Sequence, residues 1–251
     1  MAPSWTSAFG RACGVLLDTI VRWLALSRIN PNVLTFMGLV VNTWAAILFG
    51  SATALTQKRM FFYAGLVIIG SGFFDLVDGQ VARATNRVTR FGAFFDSVVD
   101  RYSDASQFLG LLVFYTRGDR SFYVVLTAFV MVSAIMVSYT RARAEALGVR
   151  LANGVMQRAE RIVVITGGTL VAAWVGLLDA DAITPILGIT MLVCGVASTA
   201  TAINRFVVAY RVLAARKAEP LVVLPAPRPP VISTPTPAHA VRKVTVTQAS
   251  R

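Results

Sequence analysis

Long apolar segments alternate with short polar links along this chain, and the pattern predicts several membrane-spanning helices. Six apolar segments approach or exceed the length of about 20 residues that a helix needs to cross the hydrocarbon core. The predicted spans cover residues about 32–55, 60–82, 91–116, 121–145, 158–178 and 183–213. We therefore predict an all-α integral membrane fold with six transmembrane helices.

The segments on either side of these spans have different patterns. In residues 4–28, apolar side chains recur at helical spacing but charged residues interrupt them, which is typical of an amphipathic helix lying in the membrane interface. Pro31 then suits the first turn of a new helix. From about Lys217 the chain is Pro-rich and non-periodic, which predicts a disordered tail. The predicted domains are an interfacial helix over 1–30, a six-helix membrane domain over 31–215 and a basic tail over 216–251.

Composition supports a membrane protein, because 56% of the residues are hydrophobic and only 14% are charged, against about 25% charged in soluble domains. The net charge of +12 would suggest a nucleic-acid partner in a soluble protein. Here we attribute it to positively charged cytoplasmic loops, and we expect no nucleic-acid binding. With a cytoplasmic N-terminus, the loops around 83–90 and 141–161 lie inside and carry most of the arginines. We predict a multi-pass cell-membrane protein with both termini inside.

Carboxylates concentrate in one short stretch. The chain has twelve Asp and Glu residues, and five of them lie between Asp75 and Asp104, next to apolar segments. Asp75 and Asp78 are three residues apart, and Asp96 and Asp100 are four apart, so each pair lies on one face of its helix. Four facing carboxylates would repel unless cations joined them. Oxygen-only ligands suit Mg²⁺, Mn²⁺ or Ca²⁺, and four carboxylates are enough for two metal ions that clamp a phosphoryl group.

The residues between the two aspartate pairs fit a phosphate-bearing ligand. Gly79 leaves room for a bulky group near the backbone, and Ala82 keeps the same face open. Arg83 offers a planar guanidinium for phosphate oxygens, while Gly92 relieves crowding at the start of the next helix. The only histidine, His239, lies in the predicted tail, so histidine-based catalysis is not expected.

These residues together resemble the signature of the CDP-alcohol phosphotransferase family. The pattern D-x2-D-G-x2-A-R-x8-G-x3-D-x3-D is matched at every position by Asp75, Asp78, Gly79, Ala82, Arg83, Gly92, Asp96 and Asp100. The resemblance covers roughly residues 28–213. It includes the six-span layout and the Pro31-Asn32-Val33-Leu34-Thr35 opening of the first span.

The resemblance implies a role for each matching position. Asp75, Asp78, Asp96 and Asp100 would hold two Mg²⁺ ions, with Mn²⁺ as an alternative. Asp100 would also be the catalytic base, taking the proton from the acceptor hydroxyl as that hydroxyl attacks the β-phosphorus of a CDP-linked lipid and CMP leaves. The CDP-lipid site would be lined by Asn32, Val33, Leu34, Thr35, Gly79, Ala82, Arg83 and Thr89. The resemblance also implies a homodimer.

The identity of the acceptor alcohol has to be inferred from residues outside the signature. The segment Asp100-Arg101-Tyr102-Ser103-Asp104 resembles the members that use inositol phosphate, namely the phosphatidylinositol phosphate synthases and their archaeal counterparts. Two further stretches, residues 138–145 and 158–161, resemble these members as well, but Arg141 stands where a Lys is common and Ala159 where a Pro is common. A phosphate on the acceptor would match the arginines that border the aspartates at the same membrane face. Those arginines are Arg141, Arg143, Arg158, Arg161 and Arg205, with Glu145 and Glu160 expected to orient them.

The predicted reaction is transfer of the phosphatidyl group of CDP-diacylglycerol to inositol phosphate, a step of phospholipid biosynthesis. One alternative is the same reaction with glycerol 3-phosphate or another alcohol. An alternative of another class is a cation-coupled transporter, because intramembrane carboxylates can bind transported cations. Against a transporter, the aspartates lie at one membrane face and no internal repeat is visible.

Overall fold

The structure is a computed structural model that describes residue 23 and residues 30–85, 88–151 and 154–216. Within these residues the chain forms six α-helices, one short 3-10 helix and no β-strand. The predicted interfacial helix and the predicted tail lie outside the described residues, except for Trp23 and Arg216, and so does Arg87. The helices are α1 (Pro31–Ser51), α2 (Gln57–Ala84), α3 (Arg90–Arg117), α4 (Ser121–Ala146), α5 (Arg158–Val175) and α6 (Ile183–Ala215). The all-helical prediction is confirmed.

Local sequence explains where the helices begin. Pro31 is the first residue of α1, and the Asn30 side chain caps that helix by accepting a hydrogen bond from the Asn32 backbone N–H at 3.0 Å. Thr89 caps α3 through a 2.9 Å bond from the Gly92 N–H. At α5, Gln157 and Glu160 form a capping box. Glu160 therefore stabilises the start of α5, whereas the sequence had suggested that it orients arginines.

Four segments are long and apolar enough to cross a membrane by length and composition, namely Pro31–Ser51, Gln57–Ala84, Ser121–Ala146 and Ala180–Ala215. The first turns of α3 and α5 instead carry charged residues, including Asp96, Asp100 and Arg158. Large apolar side chains are exposed on the helix surfaces, such as Trp44 at 60% and Val125 at 69%. An apolar exterior of this kind suits contact with lipid rather than water.

Helices that are consecutive in the chain run in opposite directions, which brings the charged residues to one end of the bundle. Thr35 near the start of α1 contacts Asp78 near the end of α2, and Arg158 at the start of α5 contacts Asp75. Arg205 in the second half of α6 contacts Val137 near the end of α4. The starts of α1, α3 and α5 therefore meet the ends of α2, α4 and α6.

The other end of the bundle is held by aromatic packing. The Phe61 ring on α2 lies 5.1 Å from the Phe49 ring on α1 and 4.8 Å from the Phe114 ring on α3, measured between centroids. All three side chains are buried. Such tilted and edge-on pairs stabilise a core beyond the burial of their area, so three helices are tied together far from the carboxylates.

Two features hold α1 tightly against α3. Gly110 faces the Ala46 backbone, and a Cβ at Gly110 would lie only 2.7 Å from Ala46 Cα. Closer to the carboxylates, buried Asn42 donates a 2.6 Å hydrogen bond to the Ser103 carbonyl and accepts one of 2.6 Å from Gln107 Nε2. Buried polar groups need such partners because water cannot reach them. These contacts fix α1 relative to the helix that carries Asp96 and Asp100.

Candidate active site

Two neighbouring cavities open at the charged end of the bundle. The first, the glycine cavity, has a volume of about 280 Å³. Its lining includes Asn32, Thr35, Asp78, Gly79, Ala82, Arg83, Thr89, Gly92 and Asp96. The second, the arginine cavity, has a volume of about 290 Å³. Its lining includes Asp100, Arg101, Asp104, Ser138, Arg141, Gln157, Arg158 and Arg205.

The glycine cavity gathers most of the residues that the sequence assigned to a CDP-lipid site. A Cβ at Gly79 would meet only the Arg83 guanidinium, at 3.6 Å, which is an ordinary contact distance. Protein packing therefore does not require glycine at this position, and the missing side chain leaves space in the cavity itself. Gly92 is different, because a Cβ there would lie 3.0 Å from Thr89 Oγ1 and 3.3 Å from Asn32 Oδ1. Gly92 lets those two side chains approach the same cavity wall.

Val33 and Leu34 lie away from the glycine cavity. Leu34 is buried and packs with Val77 and Val81 in a small apolar cluster between α1 and α2. Val33 is half exposed on the outer surface of α1. Successive residues of a helix point about 100° apart, so α1 turns Asn32 and Thr35 toward the cavity and Val33 and Leu34 elsewhere. The structure thus brings Asn32 and Thr35 to this site, but not the two residues between them.

Three of the four signature aspartates line the two cavities, and Asp75 lines neither. Asp78 and Asp96 line the glycine cavity, and Asp100 lines the arginine cavity. Asp78 is buried, and its Oδ2 accepts a 2.6 Å hydrogen bond from Thr35 Oγ1. Asp75 packs toward α1, where a Cβ at Gly38 would lie 3.2 Å from Asp75 Oδ1. Glycine at position 38 therefore allows the Asp75 carboxylate to come close to α1.

Arg158 links the aspartates of α2 and α3. Its Nη1 lies 2.7 Å from Asp75 Oδ2 and 3.0 Å from Asp100 Oδ1, and its Nε lies 3.7 Å from Asp104 Oδ1. One guanidinium therefore compensates part of the repulsion among carboxylates that the sequence predicted. Sequence reasoning assigned Arg158 to the acceptor phosphate alone and did not predict that it would bridge Asp75 and Asp100.

The donor set fits a hard divalent cation, because it consists of carboxylate oxygens without histidine or cysteine. Asp75 and Asp100 already converge on one positive nitrogen, Arg158 Nη1. Within residues 30–85, 88–151 and 154–216, no group of three or more acidic, His or Cys side chains stands close enough to hold one ion. Metal binding by all four aspartates would therefore require Arg158 to move away from Asp75 and Asp100.

The other predicted arginines occupy three kinds of place. Arg141 and Arg205 line the arginine cavity with Arg158, and Arg141 donates a 2.9 Å hydrogen bond to Glu145, as the sequence suggested. Arg161 is only 1% exposed and pairs with Asp104 behind the cavity wall. Arg143 is exposed and does not line this cavity, because it follows Arg141 by two residues and successive residues of a helix point about 100° apart.

Asp104 is a site residue to which the sequence analysis assigned no role, because it lies outside the signature pattern. The spacing of Asp104 from the signature aspartates is the sequence signal that could have identified it. Asp104 lies four residues after Asp100, as Asp100 lies four after Asp96, so all three carboxylates share one face of α3. Its contacts with Arg158 and Arg161 extend the acidic face of α3 toward α5.

Three comparisons with known proteins agree with this geometry. The sequence model of the family described as CDP-alcohol phosphatidyltransferase matches residues 28–200. The phosphatidylinositol phosphate synthase of Streptomyces avermitilis is 34% identical over 201 residues, which cover 78% of each chain. The archaetidylinositol phosphate synthase of Pyrococcus horikoshii is 38% identical over 151 residues, covering 59% of this chain and 73% of the relative.

Solved structures agree as well. The Mycobacterium tuberculosis phosphatidylinositol phosphate synthase with CDP-DAG bound matches with a TM-score of 0.66 and 28% identity, covering 77% of this chain and 93% of that one. The same enzyme in complex with manganese and citrate matches with a TM-score of 0.67 and 30% identity, covering 77% and 88%.

Proposed function

Because this chain belongs to the CDP-alcohol phosphatidyltransferase family, we propose that it transfers the phosphatidyl group of CDP-diacylglycerol to inositol phosphate and releases CMP. The chain is then a phosphatidylinositol phosphate synthase of phospholipid biosynthesis. The relatives that bear this name cover most of the chain. They support the transferase and give no support to the cation-coupled transporter.

The observation that carries the choice of acceptor is the arginine cavity beside Asp100. Four arginines, Arg101, Arg141, Arg158 and Arg205, line a space next to this carboxylate. Arg158 Nε and Arg205 Nε are buried without a hydrogen-bond acceptor among the described residues. Buried donors of this kind favour a ligand that brings acceptor oxygens. A phosphate on the acceptor alcohol supplies such oxygens, whereas an uncharged alcohol offers no anionic acceptor for Arg158 Nε and Arg205 Nε.

The glycine cavity is the proposed binding site of the cytidine diphosphate group. The space left by Gly79 accommodates a bulky group close to the α2 backbone, and Arg83 is placed to bind phosphate oxygens. Thr89 Oγ1 already accepts the Gly92 N–H, so its hydroxyl proton remains available for a ligand oxygen. The diacylglycerol chains would leave this open cavity toward the membrane.

Asp100 is the proposed catalytic base, because it lines the arginine cavity one helical turn from Asp96 of the glycine cavity. It would accept the proton of the inositol phosphate hydroxyl as the hydroxyl oxygen bonds to the β-phosphorus of CDP-diacylglycerol. The bond between that phosphorus and the bridging oxygen breaks, and CMP departs with the electron pair. Arg141 and Arg205 would hold the acceptor phosphate so that its hydroxyl points toward Asp100.

Two Mg²⁺ ions, with Mn²⁺ as an alternative, are the proposed cofactors. Asp75, Asp78, Asp96 and Asp100 would hold them, and when bound they supply positive charge that neutralises the pyrophosphate and stabilises the leaving CMP. A related enzyme has been crystallised with manganese and citrate. The carboxylates of this chain have the oxygen-only chemistry that both ions prefer.

We further propose that all six helices span the cell membrane, with the two cavities at the cytoplasmic face. The charged ends of α2, α4 and α5 carry Arg83, Arg141, Arg158 and Arg161, which agrees with the positive-inside rule. We also propose a homodimer in the membrane. Accessibility of single cysteines introduced at residues 118 and 148 would test the orientation, and light scattering in detergent would test the dimer.

One assay tests the proposed function. The purified full-length protein is given CDP-diacylglycerol and Mg²⁺ with inositol phosphate, glycerol 3-phosphate or inositol in turn, and CMP release is followed. We expect release with inositol phosphate and its loss when EDTA is added. No CMP with any alcohol would refute the transferase. Release with glycerol 3-phosphate but not with inositol phosphate would refute the acceptor and leave the reaction type intact.

A further inference from the structure

Asp104 stands between the signature aspartates and two arginines of α5. It lies one helical turn after Asp100 on the same face of α3, and its side chain is only 12% exposed. It is part of the lining of the arginine cavity, although it lies outside the signature pattern.

Both oxygens of Asp104 are turned toward α5. Asp104 Oδ2 accepts a hydrogen bond from Arg161 Nη2, and Oδ1 lies 3.7 Å from Arg158 Nε. Arg161 is 1% exposed, and its Nη1 has no hydrogen-bond partner among the described residues. A buried guanidinium is costly without an opposite charge, so Asp104 fixes where Arg161 can lie.

Arg158 contacts three carboxylates, of which two are proposed metal ligands and one is not. Asp75 and Asp100 are proposed metal ligands, and both contacts use the same atom, Arg158 Nη1. Asp104 faces a different atom, Nε, and is not one of those ligands. When Asp75 and Asp100 are engaged elsewhere, Asp104 is the carboxylate that remains to keep Arg158 at the arginine cavity.

We propose that Asp104 is a positioning residue, which holds Arg158 and Arg161 so that the arginine cavity can bind the phosphate of the acceptor alcohol. The proposal rests on the proposed function for the identity of that alcohol. Asp104 itself need not touch either substrate. It acts by keeping the Arg158 guanidinium at the arginine cavity when Asp75 and Asp100 bind metal.

A purely structural role is the competing explanation, because the Asp104–Arg161 pair also joins α3 to α5. The two explanations differ in what they affect. Loss of a purely structural pair would lower the stability of the protein and change the KM values for both substrates alike. A positioning residue would change the KM for the phosphorylated acceptor and leave the KM for CDP-diacylglycerol unchanged, because the glycine cavity lies on the other side of Asp96 and Asp100.

The test compares D104N, D104E and the matched control D181N in the full-length protein, with KM measured separately for each substrate by CMP release. Asp181 is exposed in the 3-10 helix Ala180–Ala182, away from both cavities. D104N should raise the KM for inositol phosphate about tenfold, as expected for weakening a charge-assisted hydrogen bond. The KM for CDP-diacylglycerol should not change. D104E, which keeps the charge, should give an intermediate KM for inositol phosphate, and D181N should behave as the wild type.

Equal changes in both KM values, or a lower melting temperature with an unchanged KM for inositol phosphate, would overturn the proposal. If D104N does not fold, the same two KM values are measured for D104E. An unchanged KM for inositol phosphate in D104E then overturns the proposal.

Calorimetric titration with inorganic phosphate separates this proposal from the proposed function. If the wild type releases no CMP with inositol phosphate, the proposed acceptor is wrong. Weaker phosphate binding by D104N than by the wild type would still support the positioning role, and equal binding would overturn it.

Discussion

Thr35 Oγ1 donates a 2.6 Å hydrogen bond to Asp78 Oδ2, so the first helix directly orients a carboxylate of the second. Both side chains are buried, at 4% and 6% exposure. Residues that orient proposed metal ligands matter nearly as much as the ligands, because they fix the direction of the donor oxygens. Thr35 therefore orients the Asp78 carboxylate in addition to lining the glycine cavity.

We predict that T35V weakens Mn²⁺ binding about tenfold, as is typical for loss of a hydrogen bond to a metal ligand. Valine keeps the shape of threonine but cannot donate to Asp78. Manganese titration followed by electron paramagnetic resonance measures the effect without catalysis. T43V is the control, because the one hydrogen bond of Thr43 Oγ1 among the described residues goes to the Leu39 carbonyl on its own helix. Equal Mn²⁺ affinity in T35V and T43V would show that this bond does not orient a metal ligand.

D100N should lower kcat for CMP release by about 100- to 10,000-fold, which is the range for removing a general base. The amide cannot accept the proton of the acceptor hydroxyl. Binding of CDP-diacylglycerol, measured by calorimetry, should persist because Asp100 lines the other cavity. Retained turnover in D100N would remove Asp100 as the base.

R141Q should raise the KM for inositol phosphate about tenfold or more, because Arg141 lines the arginine cavity and a charged hydrogen bond to phosphate is lost. R143Q should have a smaller effect, since Arg143 is exposed outside that cavity. R211Q serves as the control for loss of one positive charge, because Arg211 is exposed near the end of α6. The same KM in R141Q and R211Q would contradict an acceptor phosphate at Arg141.

G110A should reduce stability by about 1–3 kcal/mol, the usual cost of forcing an extra group into a packed core. The new Cβ would lie 2.7 Å from Ala46 Cα, and backbone atoms cannot rotate away. Thermal unfolding in detergent measures the change. G70A is the matched control, because no heavy atom outside its own helix lies within 4 Å of a Cβ there. If G110A is as stable as G70A, α1 and α3 can move apart without loss of stability, which would contradict the prediction.

The helix boundaries could be predicted closely from the sequence because polar links and caps mark them. The predicted first span, about 32–55, corresponds to Pro31–Ser51, and the predicted third, about 91–116, to Arg90–Arg117. The largest difference is at the end of the first helix. The residues after Ser51 are apolar or small, so the sequence stays hydrophobic beyond the last residue of the helix.

Contacts between distant helices could not be predicted in the same way. Pattern and spacing grouped Asp75, Asp78, Asp96 and Asp100, since each pair shares a helix face. Nothing in the local sequence shows that Arg158, more than fifty residues downstream of Asp100, reaches both Asp75 and Asp100. That contact depends on how α5 packs against α2 and α3. Leu34 illustrates a second limit, because the sequence grouped a continuous motif, whereas the helix turns only Asn32 and Thr35 of it toward the glycine cavity.

The division of the site into two cavities that meet at Asp96 and Asp100 bears on the course of the reaction. If each proposed substrate binds in its own cavity, we expect a ternary complex and one direct displacement, without a phosphatidyl-enzyme intermediate. A single displacement inverts the configuration at phosphorus. A CDP-lipid with a chiral phosphorothioate at the β-position should therefore give product of inverted configuration, and retention would reveal a covalent intermediate.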